Sequence, residues 1–366
     1  MSSYTSGSRL TYSEYLRLNE LLELQSGEIG CEREINNDET HFIIIHQIFE
    51  LWFKLVLSEL RCARNLLMSS HVEESDIPKV VGHLNRVTEI CRLMANQWKV
   101  METLSPQDFL VFRDKLGTAS GFESWQMREL EFLMGLKNNE RNKGMDPLAH
   151  YRKLADENPI YIQGLNQLEK TIKEPSLDEV LKKWLERTPI QGSFIDDEND
   201  GELVEDFIEK YLEAMRNLNE KMLVQMVDHS SVDKKTLEER FNANLESAEE
   251  YLRPEGEISR SRAGLLFIEA YRELPLLAWP RKLIDSFVEL EESMVLFRTH
   301  HARMVERIIG RRVGTGGSSG VDYLDATTKY RIFKDLWGVR TILIKNSSLP
   351  PIKNSEMYGF SNMKSS

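Results

Sequence analysis

His46 and His301 are the side chains whose positions packing alone explains least well. His46 lies in HFIIIHQIFELWFK and His301 in FRTHHARMVERIIG. Apolar residues recur at steps of three and four through both segments, the period of a helix face. The first stripe runs Phe42, His46, Phe49, Phe53, Val56, Leu60, and the second Phe287, Leu290, Met294, Phe297, His301, Met304, Ile308. An imidazole in such a stripe needs a polar partner. A backbone carbonyl supplies one in a structural core; a metal or prosthetic group supplies one at a functional site. His300 falls on another row with Leu296, Arg303 and Arg307, so the spacing assigns it to solvent and His301 to the interior.

Other residues could complete a site. Phe109 and Arg113 are four apart on one face of a short predicted helix. A ring beside a guanidinium suits an aromatic amino acid, with the fork taking the carboxylate; the competing reading is a core Phe beside a surface Arg. Tyr12 and Tyr15 share a face and either line a pocket or simply pack. The run Gly314-Thr315-Gly316-Gly317-Ser318-Ser319-Gly320 lets backbone amides and small hydroxyls approach a ligand. It lacks the Gly-Lys-Ser/Thr ending of a phosphate loop and follows a helix, which excludes nucleotide binding; a plain interhelical linker is its alternative. Two histidines do not complete a zinc site, and neither an HExxH motif nor a di-iron Glu/His pattern is present. One ligating imidazole and a second across a flat apolar space suit haem.

The elements that must position these residues are helices. Strand alternation is absent, and start signals are frequent. Ser105-Pro106-Gln107-Asp108 reads as an N-cap, a first-turn proline and an acid at the positive end of the dipole. Ser176-Leu177-Asp178-Glu179 reads as a capping box. Asp146-Pro147 and Pro280 mark further starts. Helices are predicted near 10–25, 39–68, 77–103, 106–116, 122–137, 147–170, 177–187, 200–228, 233–252, 257–274, 280–311 and 321–340. The fold class expected is all-α, a helical bundle enclosing a haem pocket. A charged helical insertion or peripheral subdomain is expected over 139–255, and a mobile tail over 352–366, within a single 1–366 domain.

Composition narrows the partners. The chain has 366 residues, 41% of them hydrophobic, and a net charge of −12 with basic and acidic residues interspersed. This argues against nucleic acid and anionic membranes. Cys31, Cys62 and Cys91 are scattered, with no CxxC and no CxxCH for covalent haem attachment. The start MSSYTSGSR has no apolar core for a signal peptide, and no apolar run approaches membrane-spanning length. A reduced, cytoplasmic protein is expected.

HFIIIHQIFELWFK, DFLVFRDKLGTASGF, WLERTP, and HARMVERIIGRRVGTGGSSGVDYL followed by YRIFKDLW together resemble the tryptophan 2,3-dioxygenase family, in order and spacing, from about Tyr12 to Pro351. The resemblance implies an all-α enzyme with non-covalent haem b, one per subunit, usually a homotetramer built as a dimer of dimers. It implies insertion of both atoms of O2 across the indole C2–C3 bond of L-tryptophan, giving N-formylkynurenine and opening the kynurenine pathway of tryptophan catabolism. His301 would be the proximal iron ligand and His46 would sit distally near the indole N–H. Phe42 would flank the indole. Arg113 would pair with the substrate carboxylate, with Phe109 beside it, and Thr315 would help hold the ammonium and carboxylate. Ser120 would lie near the haem edge. Tyr12 and Tyr15 match tyrosines that reach into a neighbouring subunit's site. Phe297-Arg298-Thr299 replaces the family's common Trp-Arg-Tyr, and His300 and Ile48 are also atypical. These departures keep an alternative open: a related haem monooxygenase adding one oxygen to the indole of tryptophan or a substituted tryptophan. A haem or tryptophan sensor and a cofactor-free scaffold are further rivals.

Overall fold

The computed structural model describes residues 10–26, 35–69, 72–116, 121–141, 146–227, 232–312 and 320–359. As expected, the fold is all-α: among these residues no strand forms, and Ile190 and Ser193 make an isolated antiparallel bridge. Three long helices, Asn37–Leu67, Ile77–Met101 and Ala278–Ile308, run against one another at the centre. The Asn36 side chain caps the first, accepting from the Glu39 N–H at 2.7 Å. Pro280 lies in the first turn of the third. Their facing stripes are buried, including Phe53, Val56 and Leu60 on the first, Val80, Leu84 and Met94 on the second, and Phe287, Leu290 and Met294 on the third. Each such side chain contributes about 1.5–3 kcal/mol through burial.

Two shorter helices close the bundle around the histidines. Pro106–Arg113 starts at the predicted cap, where Ser105 Oγ accepts the Asp108 N–H at 3.1 Å. Trp125–Met134 is capped by Ser124 and ends at Gly135, where φ is +115°. A Cβ on Gly135 would meet Asp178 Cβ at 2.9 Å, so the turn requires glycine on both counts.

Several predicted helices are broken in two. The 10–25 segment divides at Arg17, whose φ is 50°. The 147–170 segment divides at Asn158-Pro159 into Pro147–Glu157 and Ile162–Ile172, because proline cannot continue the helix entering it. The 321–340 segment becomes Gly320–Thr327 and Lys334–Ile342. The bend between them is pinned by buried Glu291, which accepts from the Ile332 and Phe333 N–H groups and from Trp337 Nε1.

Residues 139–255 contribute to the common core. Phe207 meets Phe267 edge-on at 5.5 Å, and Tyr211 Oη donates to the Ile342 carbonyl at 3.0 Å. The acidic run ends in structure as well: Asp200 receives Arg260 Nε at 2.7 Å and Nη2 at 2.9 Å. Part of the segment 352–366, expected as a mobile tail, packs on the core at Tyr358. Tyr358 is fully buried, lies 5.3 Å from the Phe267 ring, donates to the Pro189 carbonyl at 2.9 Å and accepts the Gly192 N–H at 2.8 Å. One large aromatic residue in a polar segment docks it, because burying its ring and satisfying its hydroxyl outweigh the ordering of a few polar neighbours. Tyr358→Ala is expected to lower stability by about 3–5 kcal/mol in urea denaturation; an unchanged midpoint would mean that this segment does not dock.

Candidate active site

The central helices enclose a cavity of about 290 Å³ whose lining includes Phe42, His46, Phe109, Arg113 and His301. Five residues singled out from sequence therefore meet at one place, although 255 positions separate His46 from His301. The volume is at the lower end of small-molecule pockets. Leu116 and Gly121, which flank 117–120, also line it, as do Ile309 and Gly320, which flank most of the glycine-rich run. Ser120 and Thr315 lie outside the described residues. Tyr12 and Tyr15 are not in the cavity; both are exposed on the N-terminal helix Tyr12–Leu16.

His46 Nδ1 lies 2.8 Å from the Phe42 carbonyl one turn earlier. A carbonyl only accepts, so Nδ1 carries the proton and donates it, leaving Nε2 as an acceptor. Surrounding apolar groups push the His46 pKa below its ordinary value, against the opposing pull of the Phe42 carbonyl and Glu50. The structural reading of this histidine, a carbonyl bond, thus holds for one nitrogen only. Phe42 lies 4.1 Å from the His46 ring and 6.0 Å from that of Phe109, forming an aromatic wall.

His301 is held differently. Its ring stacks on Trp98 at 4.4 Å with 2° between planes. Phe297, itself 5.7 Å from Trp98, lies 6.2 Å away. Burial pushes the His301 pKa down to about 3, and the Arg128 guanidinium pushes the same way. The imidazole is therefore neutral at physiological pH and offers a lone pair. Among the described residues, no polar atom bonds it.

Sequence reasoning missed Trp98 and a buried ionic cluster. Glu131 accepts from Arg128 Nη1 at 3.1 Å, from Arg298 Nη2 at 3.2 Å, and from Arg141 Nη1. Arg298 also donates to the Thr327 carbonyl at 3.1 Å, and Arg128 to Tyr323 Oη at 3.2 Å. The cluster ties the His301 helix to Trp125–Met134 and Gly320–Thr327, and Arg128, Glu131 and Arg298 line the cavity. The available signal was Arg128 and Glu131, three apart on a helix that buries Leu130, Leu133 and Met134.

His300 corrects an expectation. It is partly buried, not solvated, and its Nδ1 lies 2.8 Å from the Ala95 carbonyl. A neighbouring helix covers that row of the surface.

An all-helical protein with two neutral imidazoles around an aromatic cavity presents a site for an aromatic ligand and a histidine-ligated group. The comparisons name the class. The family model described as tryptophan 2,3-dioxygenase matches residues 2–343. "Tryptophan 2,3-dioxygenase 2" of Ralstonia nicotianae is 42% identical over 365 residues, 96% of this chain and 98% of that protein. "Tryptophan 2,3-dioxygenase" of Sorangium cellulosum is 41% identical, covering 96% and 87% of the two chains. A "Tryptophan 2,3-dioxygenase-like protein" of Xanthomonas campestris is 40% identical over 70% of this chain and 98% of its own. The chain belongs to the tryptophan 2,3-dioxygenase family and is an oxidoreductase. These relatives do not favour the monooxygenase alternative.

Glu131→Gln is expected to destabilise the fold by about 3–5 kcal/mol, because it leaves three buried guanidiniums without their counter-charge. Burial pushes the Glu131 pKa up, but Arg128, Arg141 and Arg298 together hold it below its ordinary 4.5. Its contribution is thus fully present above about pH 4.5 and lost as pH falls through the lowered value. Denaturation midpoints of wild type and variant should converge in acid; a constant gap would contradict the assignment.

Proposed function

We propose that this chain is a haem b-dependent tryptophan 2,3-dioxygenase that takes L-tryptophan and O2 to N-formylkynurenine. The observation that carries the reading is the neutral, unbonded His301 imidazole in an aromatic cavity that also holds His46 and Arg113. His301 fits the proximal ligand: its ring plane is fixed by Trp98, and its apolar surroundings keep it unprotonated. Phe49, Phe53, Phe297, Met304 and Ile308 give the cavity the apolar walls a porphyrin face needs. When bound, haem supplies the redox-active iron that engages O2.

The chain's own residues do the rest. The indole ring fits against Phe42 and Phe109. His46 Nε2, left bare by the bond from Nδ1 to Phe42, accepts the indole N–H and sets its orientation. Indole N–H is too weakly acidic for ready removal at neutral pH, and a histidine with a lowered pKa is a weak base, so His46 positions and does not deprotonate. Arg113 takes the substrate carboxylate by a bidentate pair. From the family resemblance, Thr315 is assigned to assist at the ammonium and carboxylate and Ser120 to the haem edge; both lie outside the described residues. The apolar walls keep water from the reacting centre.

The assembly is proposed as a homotetramer, a dimer of dimers. Support comes from the N-terminal arm, where Tyr12, Tyr15, Leu16, Leu22 and Leu24 are all exposed. A large apolar surface on a short arm is what a neighbouring subunit covers, and it would carry Tyr12 and Tyr15 to that subunit's site. Among the described residues no helix is long and apolar enough to cross a membrane; a cytoplasmic location is proposed from the family and the scattered cysteines.

His301→Ala is expected to abolish haem retention, read as loss of the Soret band after haem loading and gel filtration. Retained haem with a normal ferrous spectrum would place the ligand elsewhere. Arg113→Ala is expected to raise KM for L-tryptophan about ten- to a hundredfold, the worth of a charged hydrogen bond to a buried carboxylate. An unchanged KM would move the carboxylate clamp to another residue.

A further inference from the structure

The Glu131 cluster carries more positive charge than it can neutralise: three guanidiniums share one carboxylate. Burial pulls the Arg298 guanidinium below its ordinary pKa despite Glu131, and Arg128 adds to the pull. Arg141 has a side chain only 2% exposed, and among the described residues its Nε and Nη2 have no hydrogen-bond partner. Uncompensated N–H groups on a buried cation are costly, and an anion is what relieves them.

Arg141 lines a second cleft, of about 570 Å³, whose lining includes neither histidine. Its lining includes four cations, Arg141, Lys329, Arg331 and Lys334, and one acid, Glu140. Glu140 is already engaged by Lys334 Nζ at 2.6 Å. Among the described residues Lys329 has no carboxylate partner, and Arg331 donates Nη1 to the Thr328 and Tyr330 carbonyls, at 3.1 and 2.8 Å. A basic concavity of this kind stands out on a chain of net charge −12 and draws anions towards it.

We propose that this cleft is a binding site for a small oxyanion, a carboxylate or a phosphate, received by Arg331 and Lys329 at its rim and Arg141 at its floor. It is separate from the substrate clamp at Arg113 and does not depend on the haem reading. Glu131 touches Arg141 on one side and the cavity-lining Arg128 and Arg298 on the other, so the two sites share one carboxylate.

The test is isothermal titration of the full-length protein with inorganic phosphate and, separately, succinate, at constant ionic strength. Saturable binding of either anion is expected, weakened at least tenfold in Lys329→Gln/Arg331→Gln and undiminished by saturating L-tryptophan. The tighter anion identifies the ligand chemistry. Both substituted residues lie at the cleft's rim, and unchanged circular dichroism confirms folding; Lys329→Gln alone is the milder variant. Absence of saturable binding for both anions, equal affinity in the double variant, or displacement by L-tryptophan would overturn the proposal.

Discussion

Glu131 sits where three elements of the site converge. Its carboxylate holds Arg128 on its own helix, Arg141 beyond the turn at Gly135, and Arg298 on the His301 helix. A buried carboxylate is stable as an anion only because these guanidiniums surround it, and they are tolerable only because it is there. Arg298 lies one turn before His301, so the position of that imidazole over the cavity depends on this knot. Through Thr327 and Tyr323 the same knot reaches the Gly320–Thr327 helix and so the far end of the glycine-rich run. Hydrophobic burial closes the bundle, but it is indifferent to small slides of one helix along another. The ionic knot has fixed bond directions and removes that freedom.

The two histidines are both neutral for the same reason, desolvation, yet they are prepared for different work. His46 commits one nitrogen to the carbonyl of Phe42, which fixes the tautomer and turns the other nitrogen into an acceptor. His301 is oriented by ring stacking on Trp98, a contact that sets its plane without engaging its lone pairs. One arrangement suits recognition of an N–H donor; the other suits ligation. The aromatic wall of Phe42 and Phe109, with Arg113 beside it, then matches a ligand with a flat ring at one end and a carboxylate at the other.

Much of this was legible in the sequence because the relevant residues lie on long helices with a clean period. His46, Phe42, Phe109, Arg113 and His301 could be placed on inward faces by counting, and the capping signals at Ser105 and Ser176 mark the helix starts found. Counting fails where a second element decides the environment. His300 belongs to an outward row of its own helix, yet Ala95 of the neighbouring helix covers it. Arg298 and Glu131 are charged residues in buried positions, and only their meeting across 167 positions makes that possible. The docking of Tyr358 likewise depends on Phe267 and Pro189, which are remote in sequence. The break at 328–333 is also set by contacts, through Glu291, and not by local propensity; the break at Asn158-Pro159 was available from the proline alone.

The central claim is that this cavity carries out insertion of both oxygen atoms into the indole of L-tryptophan. The most direct measurement is to mix the haem-loaded ferrous protein with L-tryptophan and isotopically labelled O2 and to read the product by mass. The account predicts a ring-opened product carrying two labelled oxygens. A product with one labelled oxygen and an intact indole, or no product at all, would contradict it.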